Sequence, residues 1–250
     1  INNENGFIAL EKKNLYYDLI ILSIGGLSKL YFKIDNNRSI KKNYGEVAIV
    51  TNFRHNAKII NASQFFLKEG PLAVLPFKKN IFSMVWSVNT NYFKTNKKNL
   101  KNILTQKLHK LLNNKRIKNV GLIRSFPINL NLKTKYFKKN ILILGDGLHT
   151  IHPMAGQGFN LVLRDIKKLS NLMSNTLKLG LLFKDSFLLK NFYNSRKPEN
   201  NLFGIGISLT NFFFKDNKYS YFKKNIIKNI KNFDFIKKIS QSIADKGISL

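Results

Sequence analysis

The chain has no cysteine, one tryptophan, five prolines and only 13 acidic residues. Without cysteine it can hold no disulfide, no thiolate metal site and no cysteine nucleophile. The shortage of acid stands against 43 Lys and Arg, a formal charge of +30 over 250 residues. Arginine is scarce as well, six residues against 37 lysines. Its rigid planar fork makes arginine the usual reader of phosphates and guanine edges. A basic excess made of lysine, beside 34 asparagines and 21 phenylalanines, reads as composition bias rather than as a specific nucleic-acid surface. Net charge speaks to solubility and non-specific binding, not to fold. Long apolar runs are missing too. The longest, residues 19–27, falls well short of the roughly 20 residues a bilayer span requires. No signal peptide is visible, and the chain opens on Ile1 rather than Met, which reads as a fragment.

What is present suits a folded protein. Hydrophobic residues make up 44% and aromatics 12%, which excludes disorder as the main state, and the length fits one large or two small domains. Residues 15–24 form an apolar run closed by Gly25-Gly26, the pattern of a buried parallel strand. A polar stretch over 35–43 reads as a loop. Short β-like runs follow at 46–53, 62–67, 72–77 and 81–88, separated by Glu69-Gly70-Pro71 and Lys78-Lys79-Asn80, and predict an antiparallel meander with one buried face. Leu100, Ile103, Leu104, Leu108, Leu111 and Leu112 fall on one helical stripe. Strand-like text resumes at 120–126, stops at Pro127, and returns at 130–137 and 140–144. Helices are expected over 158–173, 181–195 and 201–214, the last two separated by Pro198, with a Lys-rich helix-like tail over 219–239. The order is mixed α and β, with a sheet excursion inserted between parallel-type strands.

The informative stretch begins where the apolar strand 140–144 delivers Gly145-Asp146. Ligands of open α/β sheets bind beyond the carboxyl ends of the strands. Gly145 lets a ligand approach the backbone, and Asp146 can accept hydrogen bonds from sugar or polyol hydroxyls. Pro153 stiffens the connection, and Gly156-Gln157-Gly158 opens a helix whose unpaired N–H groups and positive dipole end suit an anion or a carbonyl oxygen. A polyol acceptor beside such a helix start suits a flavin nucleotide. The spacing Gly145, Asp146, His149, Pro153, Gly156, Gln157, Gly158, Asn160, Asp165 strongly resembles the third motif of the FAD-dependent aromatic hydroxylases, in their ubiquinone-biosynthesis 2-polyprenylphenol hydroxylase branch. His152 and Ala155 are similar to that branch. Residues 70–76 with Met84-Val85-Trp86-Ser87 resemble the family's substrate-domain hairpin. Arg124-Ser125-Phe126-Pro127 resembles its segment ahead of the final strand, and Phe192-Tyr193-Asn194-Ser195-Arg196-Lys197-Pro198 resembles its helical Tyr-x-x-x-Arg element near the end.

The resemblance implies an α/β (α+β mixed) protein: a Rossmann-like FAD-binding domain lacking its first βαβ unit, over 1–35 and 129–180. A substrate-binding sheet domain over 36–128 is inserted in it, and a helical region over 181–250 follows. It implies an FAD-dependent monooxygenase that uses NAD(P)H and O2 to hydroxylate the ring of a polyprenyl-phenol lipid. The cofactor-binding residues would be Gly145, Asp146, Pro153, Gly156, Gln157, Gly158, Phe159 and Asn160. A lipid substrate implies peripheral membrane contact on the inner face, or a ubiquinone-biosynthesis complex, for a cytoplasmic protein. No metal, no specific nucleic acid and no catalytic base are assigned. Two departures matter. No Gly-x-Gly-x-x-Gly turn for the ADP half occurs anywhere, since Gly204-x-Gly206 sits in helical text. The second motif, which carries Asp and Arg in the family, is replaced by Ser23-Ile24-Gly25-Gly26-Leu27-Ser28-Lys29. A truncated or decayed relative acting as a structural or partner subunit therefore stands as the alternative. Among single residues, His55 and His109 read as surface and Trp86 as sheet core. His149 and His152 shape the flavin loop, and Arg164 with Asp165 is either an exposed pair or a contact toward the cofactor domain.

Overall fold

The computed structural model describes residues 7–10, 13–26, 28–35, 38–56, 62–113, 116–153, 156–184 and 186–215. The Lys-rich tail expected over 219–239 lies outside them. The chain divides into two compact units, Asn43–Asn129 and Ile1–Lys42 with Leu130–Leu250.

In the unit Asn43–Asn129 the expected meander forms. Strands β4 (Ser39–Arg54), β5 (Ser63–Leu67), β6 (Gly70–Lys78), β7 (Ile81–Asn89) and β9 (Arg124–Lys133) line up in the order β9-β4-β7-β6-β5, with β8 (Lys118–Asn119) paired to β4. The pairings β4–β7, β6–β7 and β5–β6 are antiparallel, and they bring Ile49 and Leu72 each opposite Trp86. One face of β7 buries Phe82, Met84, Trp86 and Val88 completely, as the period of a pleated strand dictates. Onto it pack Leu100, Leu104 and Leu108 of α3 (Leu100–Leu111), spaced one helical turn apart. Each such fully buried leucine is worth about 1.5–3 kcal/mol of transfer free energy. Trp86 is core, its Nε1 donating to the Gly70 carbonyl at 3.3 Å. The helical text starts earlier than expected, in α2 (Thr90–Asn96), where the Asn89 side chain caps by accepting from the Asn91 N–H at 2.8 Å.

In the other unit, β10 (Phe137–Lys138), β11 (Ile141–Ile143) and β3 (Ile20–Leu22) form a small sheet in which β11 and β3 run parallel, Ile141 opposite Ile20. A hairpin of β1 (Phe7–Leu10) and β2 (Lys13–Tyr16) forms a separate two-stranded sheet whose Ile8 packs on the apolar cluster of this unit. The helices α4 (Gln157–Lys178) and α5 (Ser186–Lys215) pack on each other, and Leu169, Leu188, Leu189 and Phe192 join the sheet residues in one apolar cluster.

Several expectations need correction. The run 15–24 is not one strand: β2 is exposed throughout, and only Ile20 and Leu22 of β3 are buried. The stretch 35–43 is not all loop: Asp35 ends α1 (Phe32–Asp35), 39–43 already belong to β4, and 36–37 lie outside the described residues. Pro127 does not end a strand. It sits in the exposed first half of β9, where a missing N–H costs little. Pro198 lies inside α5, which runs unbroken from Ser186 through the break expected between the two helices, while residues 181–184, expected to be helical, are not. The carbonyl that Pro198 leaves without a helical partner belongs to Asn194, and both residues are exposed, so water can serve it. His55 is 4% exposed, its ring 5.6 Å from that of Phe82. His109 is half-buried, with Nε2 2.8 Å from the Ile117 carbonyl.

Candidate functional site

The strand β11 is fully buried, and beyond it the chain tightens into a single 3-10 turn, Gly145–Gly147. The Leu148 N–H closes that turn on the Gly145 carbonyl at 2.9 Å, and the Lys133 N–H then takes the Leu148 carbonyl at 2.9 Å. The chain continues into β12 (His149–Thr150), paired with β9. Asp146 is thereby held out at the carboxyl end of the parallel strand. Its side chain is exposed and makes no hydrogen bond among the described residues, while its backbone carbonyl accepts from Thr150 Oγ1 at 3.2 Å.

Close approach explains two glycines here. A Cβ on Gly147 would fall 2.4 Å from the Tyr31 ring, and a Cβ on Gly26 would sit 3.0 Å from both the Asp146 carbonyl and Thr150 Oγ1. Tyr31 is buried under the loop, and its hydroxyl accepts from the Ile24 N–H at 3.2 Å. Burial pushes its ionisation up, the Ile24 bond pulls it down, and the Asp146 charge raises it again. Tyr31 fills the space that any side chain at 147 would need. Gly26 brings the end of β3 to the Asp146 loop, but as backbone alone.

The second half of the site is the start of α4. Gly156 holds φ 63°, ψ 18°, a left-handed conformation that favours glycine, and its N–H donates to the Pro153 carbonyl at 3.1 Å. Among the described residues no side chain caps the helix, and its first turn carries no acid. The first N–H groups are left as donors at the positive end of the dipole. A Cβ at Gly145 or Gly156 would meet nothing within 4 Å, so space is open over both. Asn160 Nδ2 donates to Gln157 Oε1 at 3.4 Å, Gly158 is half-buried, and Pro153 and Phe159 are exposed, Phe159 by 70%. The Gly145–Gly147 turn packs against α4, so the exposed carboxylate and the uncapped helix start belong to one region. An unpaired carboxylate, open backbone over two glycines and free N–H donors form a donor and acceptor set that fits a flavin nucleotide: polyol hydroxyls for Asp146, carbonyl or anionic edges for α4.

Beneath this region lies a network that sequence reasoning missed. His149 and Asp165 are 2% and 0% exposed, and His149 Nε2 lies 2.6 Å from Asp165 Oδ2. Arg196 Nε donates to Asp165 Oδ1 at 2.6 Å, and Asn200 Nδ2 donates to the same oxygen at 3.2 Å. Arg196 also donates to Asn200 Oδ1 at 3.0 Å and pairs with Glu199, which lies 3.8 Å from Arg164. Asn200 Nδ2 reaches the Tyr136 hydroxyl at 3.3 Å. Burial pushes the Asp165 carboxyl up, but the His149 hydrogen bond and charge and the Arg196 charge outweigh it, so it lies below the usual carboxylate range. Burial holds the Tyr136 hydroxyl protonated, its ionisation far above the ordinary value. The exposed Arg164–Asp165 pair is thus not formed: Asp165 points inward to His149 and Arg196. The signal available in the sequence was the spacing of His149, Asp165 and Arg196. Without the contact between α4 and α5 that spacing names no partners.

The model of the FAD binding domain matches residues 37–180, more than half of the chain. The chain belongs to this FAD-binding family. The mitochondrial ubiquinone biosynthesis monooxygenase of Dictyostelium discoideum is 26% identical over 242 residues, covering 75% of this chain and 47% of that protein. The 3-demethoxyubiquinol 3-hydroxylase of Escherichia coli is 28% identical over 151 residues, 58% of this chain and 38% of that one. The chain thus spans less than half the length of these relatives. In fold it is similar to the flavin-dependent brominase Bmp2, with a TM-score of 0.71 at 9% identity, covering 95% of this chain and 60% of that chain. It is also similar to PqsL, a probable FAD-dependent monooxygenase from Pseudomonas aeruginosa, with a TM-score of 0.66 at 17% identity, covering 84% and 60%. The mixed α/β architecture read from the sequence, with its antiparallel sheet, is the fold observed.

Proposed function

We propose that this chain carries the flavin site of a monooxygenase that hydroxylates the ring of a polyprenylated phenol in ubiquinone biosynthesis. The observation that carries the reading is the pairing of an exposed, unpaired Asp146 with an uncapped α4 start in a member of an FAD-binding family. The names of the relatives support the substrate class.

In this reading Asp146 accepts from the ribityl hydroxyls, and the backbone at Gln157, Gly158, Phe159 and Asn160 faces the flavin ring, with Gly145 and Gly156 leaving room and Pro153 beside it. Bound FAD would supply the redox chemistry, taking reducing equivalents from NAD(P)H and passing them to O2. The chain's residues bind and orient. No side chain at the site is assigned as a general base. One oxygen atom of O2 enters the phenol ring and the other leaves as water. The polyprenyl tail calls for a lipid-facing approach, and the lysine excess suits an anionic membrane surface on the cytoplasmic side. Among the described residues no helix is long and apolar enough to cross a membrane.

One observation favours a second reading, a flavoprotein relative that no longer oxidises substrate and serves as a structural or partner subunit. The segment against the Asp146 loop is Gly25-Gly26, with neither the Asp nor the Arg of the family's second motif. The test is to incubate the chain with FAD, NAD(P)H and a short-tailed polyprenylphenol under 18O2. A product carrying one labelled oxygen supports hydroxylation. Flavin retention without labelled product supports the second reading, and no flavin retention overturns both.

A further inference from the structure

The flavin reading gives Asp146 and the start of α4 a task but does not say what fixes one against the other. The turn Gly145–Gly147 is held by backbone bonds and by Tyr31, and the α4 start has no cap at all. Among the described residues, neither the Asp146 side chain nor a cap residue at the α4 start links the two halves by a hydrogen bond. The link lies deeper. Asp165 rides on α4 eight residues after Gln157, roughly 12 Å along the axis. His149 stands three residues after Asp146, on the strand that leaves the turn. Their 2.6 Å contact is a side-chain bond that joins the loop to the helix, and it is fully buried.

We propose that Asp165 is the positioning residue of the flavin cradle, its carboxylate setting the Asp146 loop against the start of α4 through His149. The proposal rests on the flavin reading for its consequence, though not for its geometry. The carboxylate suits this task because it accepts in two directions at once. One oxygen takes the His149 Nε2–H, and the other takes Arg196 Nε and Asn200 Nδ2 from α5. Charge-assisted bonds of this kind are short and directional. Two guanidiniums, Arg196 and Arg164, stand against two carboxylates, Asp165 and Glu199. His149 Nδ1 is buried with no hydrogen-bond partner among the described residues. Asp165 touches no substrate or cofactor. It acts through His149 on one side and through its own helix on the other.

The experiment compares the chain with Asp165→Asn, His149→Gln and His149→Leu. Hydrogen exchange is followed at the Leu148 and Lys133 amides, whose bonds hold the loop, and at the Ile143 amide of β11 as an internal reference. FAD affinity and the visible spectrum of the bound flavin are measured on the same samples. Asp165→Asn and His149→Leu are expected to speed exchange at Leu148 and Lys133 by at least tenfold more than at Ile143. They should also weaken FAD binding about tenfold and shift the flavin band. His149→Gln, whose amide can still donate to Asp165, should stay close to the parent in all three. Equal acceleration at every amide, or no difference between Gln and Leu at 149, overturns the proposal. If the parent binds no FAD while the loop amides still loosen selectively, the positioning role stands and the flavin reading falls.

Discussion

The two units of this chain are stabilised by different physics. In the unit Asn43–Asn129 the main cluster is apolar throughout, with Phe53, Phe82, Met84, Trp86 and three leucines of α3 stacked on one sheet face. One side-chain ion pair of this unit, Lys107 with Glu69 at 2.8 Å, is partly exposed, with Lys107 also 4.9 Å from the Trp86 ring. In the other unit an apolar cluster of similar size adjoins a buried group of two carboxylates, two guanidiniums, an imidazole and an amide. Burying charge is costly, and a paired buried charge is weak evidence for stability on its own. The unit that hosts the candidate site meets that cost with a network of charges, whereas in the sheet unit the buried acid Glu46, 7% exposed, lies outside the main apolar cluster. Directional bonds fix loop positions in a way that interchangeable methyl groups cannot, and a cofactor site needs its parts held within about 0.5 Å.

The sharpest way to break this contrast is truncation in both clusters. Trp86→Ala should cost about 3–5 kcal/mol by removing a fully buried ring, read by denaturant unfolding, with a smaller loss for Phe82→Leu. Asp165→Ala should cost a comparable ~3–5 kcal/mol for a much smaller side chain, because Arg196 Nε, His149 Nε2 and Asn200 Nδ2 would all lose their buried acceptor and Arg196 would keep only Glu199 as its charge partner. A loss below about 1 kcal/mol for Asp165→Ala would mean that the ionic group does not hold the unit. Acid should discriminate next. The Asp165 carboxyl is depressed in the folded chain, so its contribution is complete above the unfolded value near pH 4 and disappears as pH falls through the folded value. Unfolding measured from pH 6 to pH 3 should show this loss in the parent and a flatter acid limb in Asp165→Asn. The smallest effect is expected for Lys107→Met, about 0–1 kcal/mol, since its partner Glu69 is partly exposed and salt screens the pair.

How much of this could be read from the sequence differs between the units for the same reason. The sheet unit announces itself locally: residues 81–88 are strand formers between turn signals, and the leucines of 100–112 recur at the helical period. The Gly145–Asn160 stretch was legible because glycine, proline and one aspartate at fixed spacing impose backbone geometry that few other residues allow. Long-range pairing was not legible. Ile20–Leu22 is short because β2 peels off into a hairpin with β1, and α5 runs through Pro198 because tertiary burial of Leu188, Leu189 and Phe192 outweighs one missing bond. Arg164 and Asp165 are neighbours in sequence but point to different partners, and only the packing of α5 on α4 shows that Arg196 is the one that Asp165 takes.

The central claim is that Asp146 and the α4 start bind a flavin. FAD titrated into the parent chain and into Asp146→Ala, followed by flavin fluorescence, tests it most directly. A hydrogen bond to a charged group contributes about 1.5–3 kcal/mol, so the account predicts saturable binding by the parent and at least a roughly tenfold weaker constant for the variant, with unchanged unfolding. Equal affinity for both proteins would contradict it.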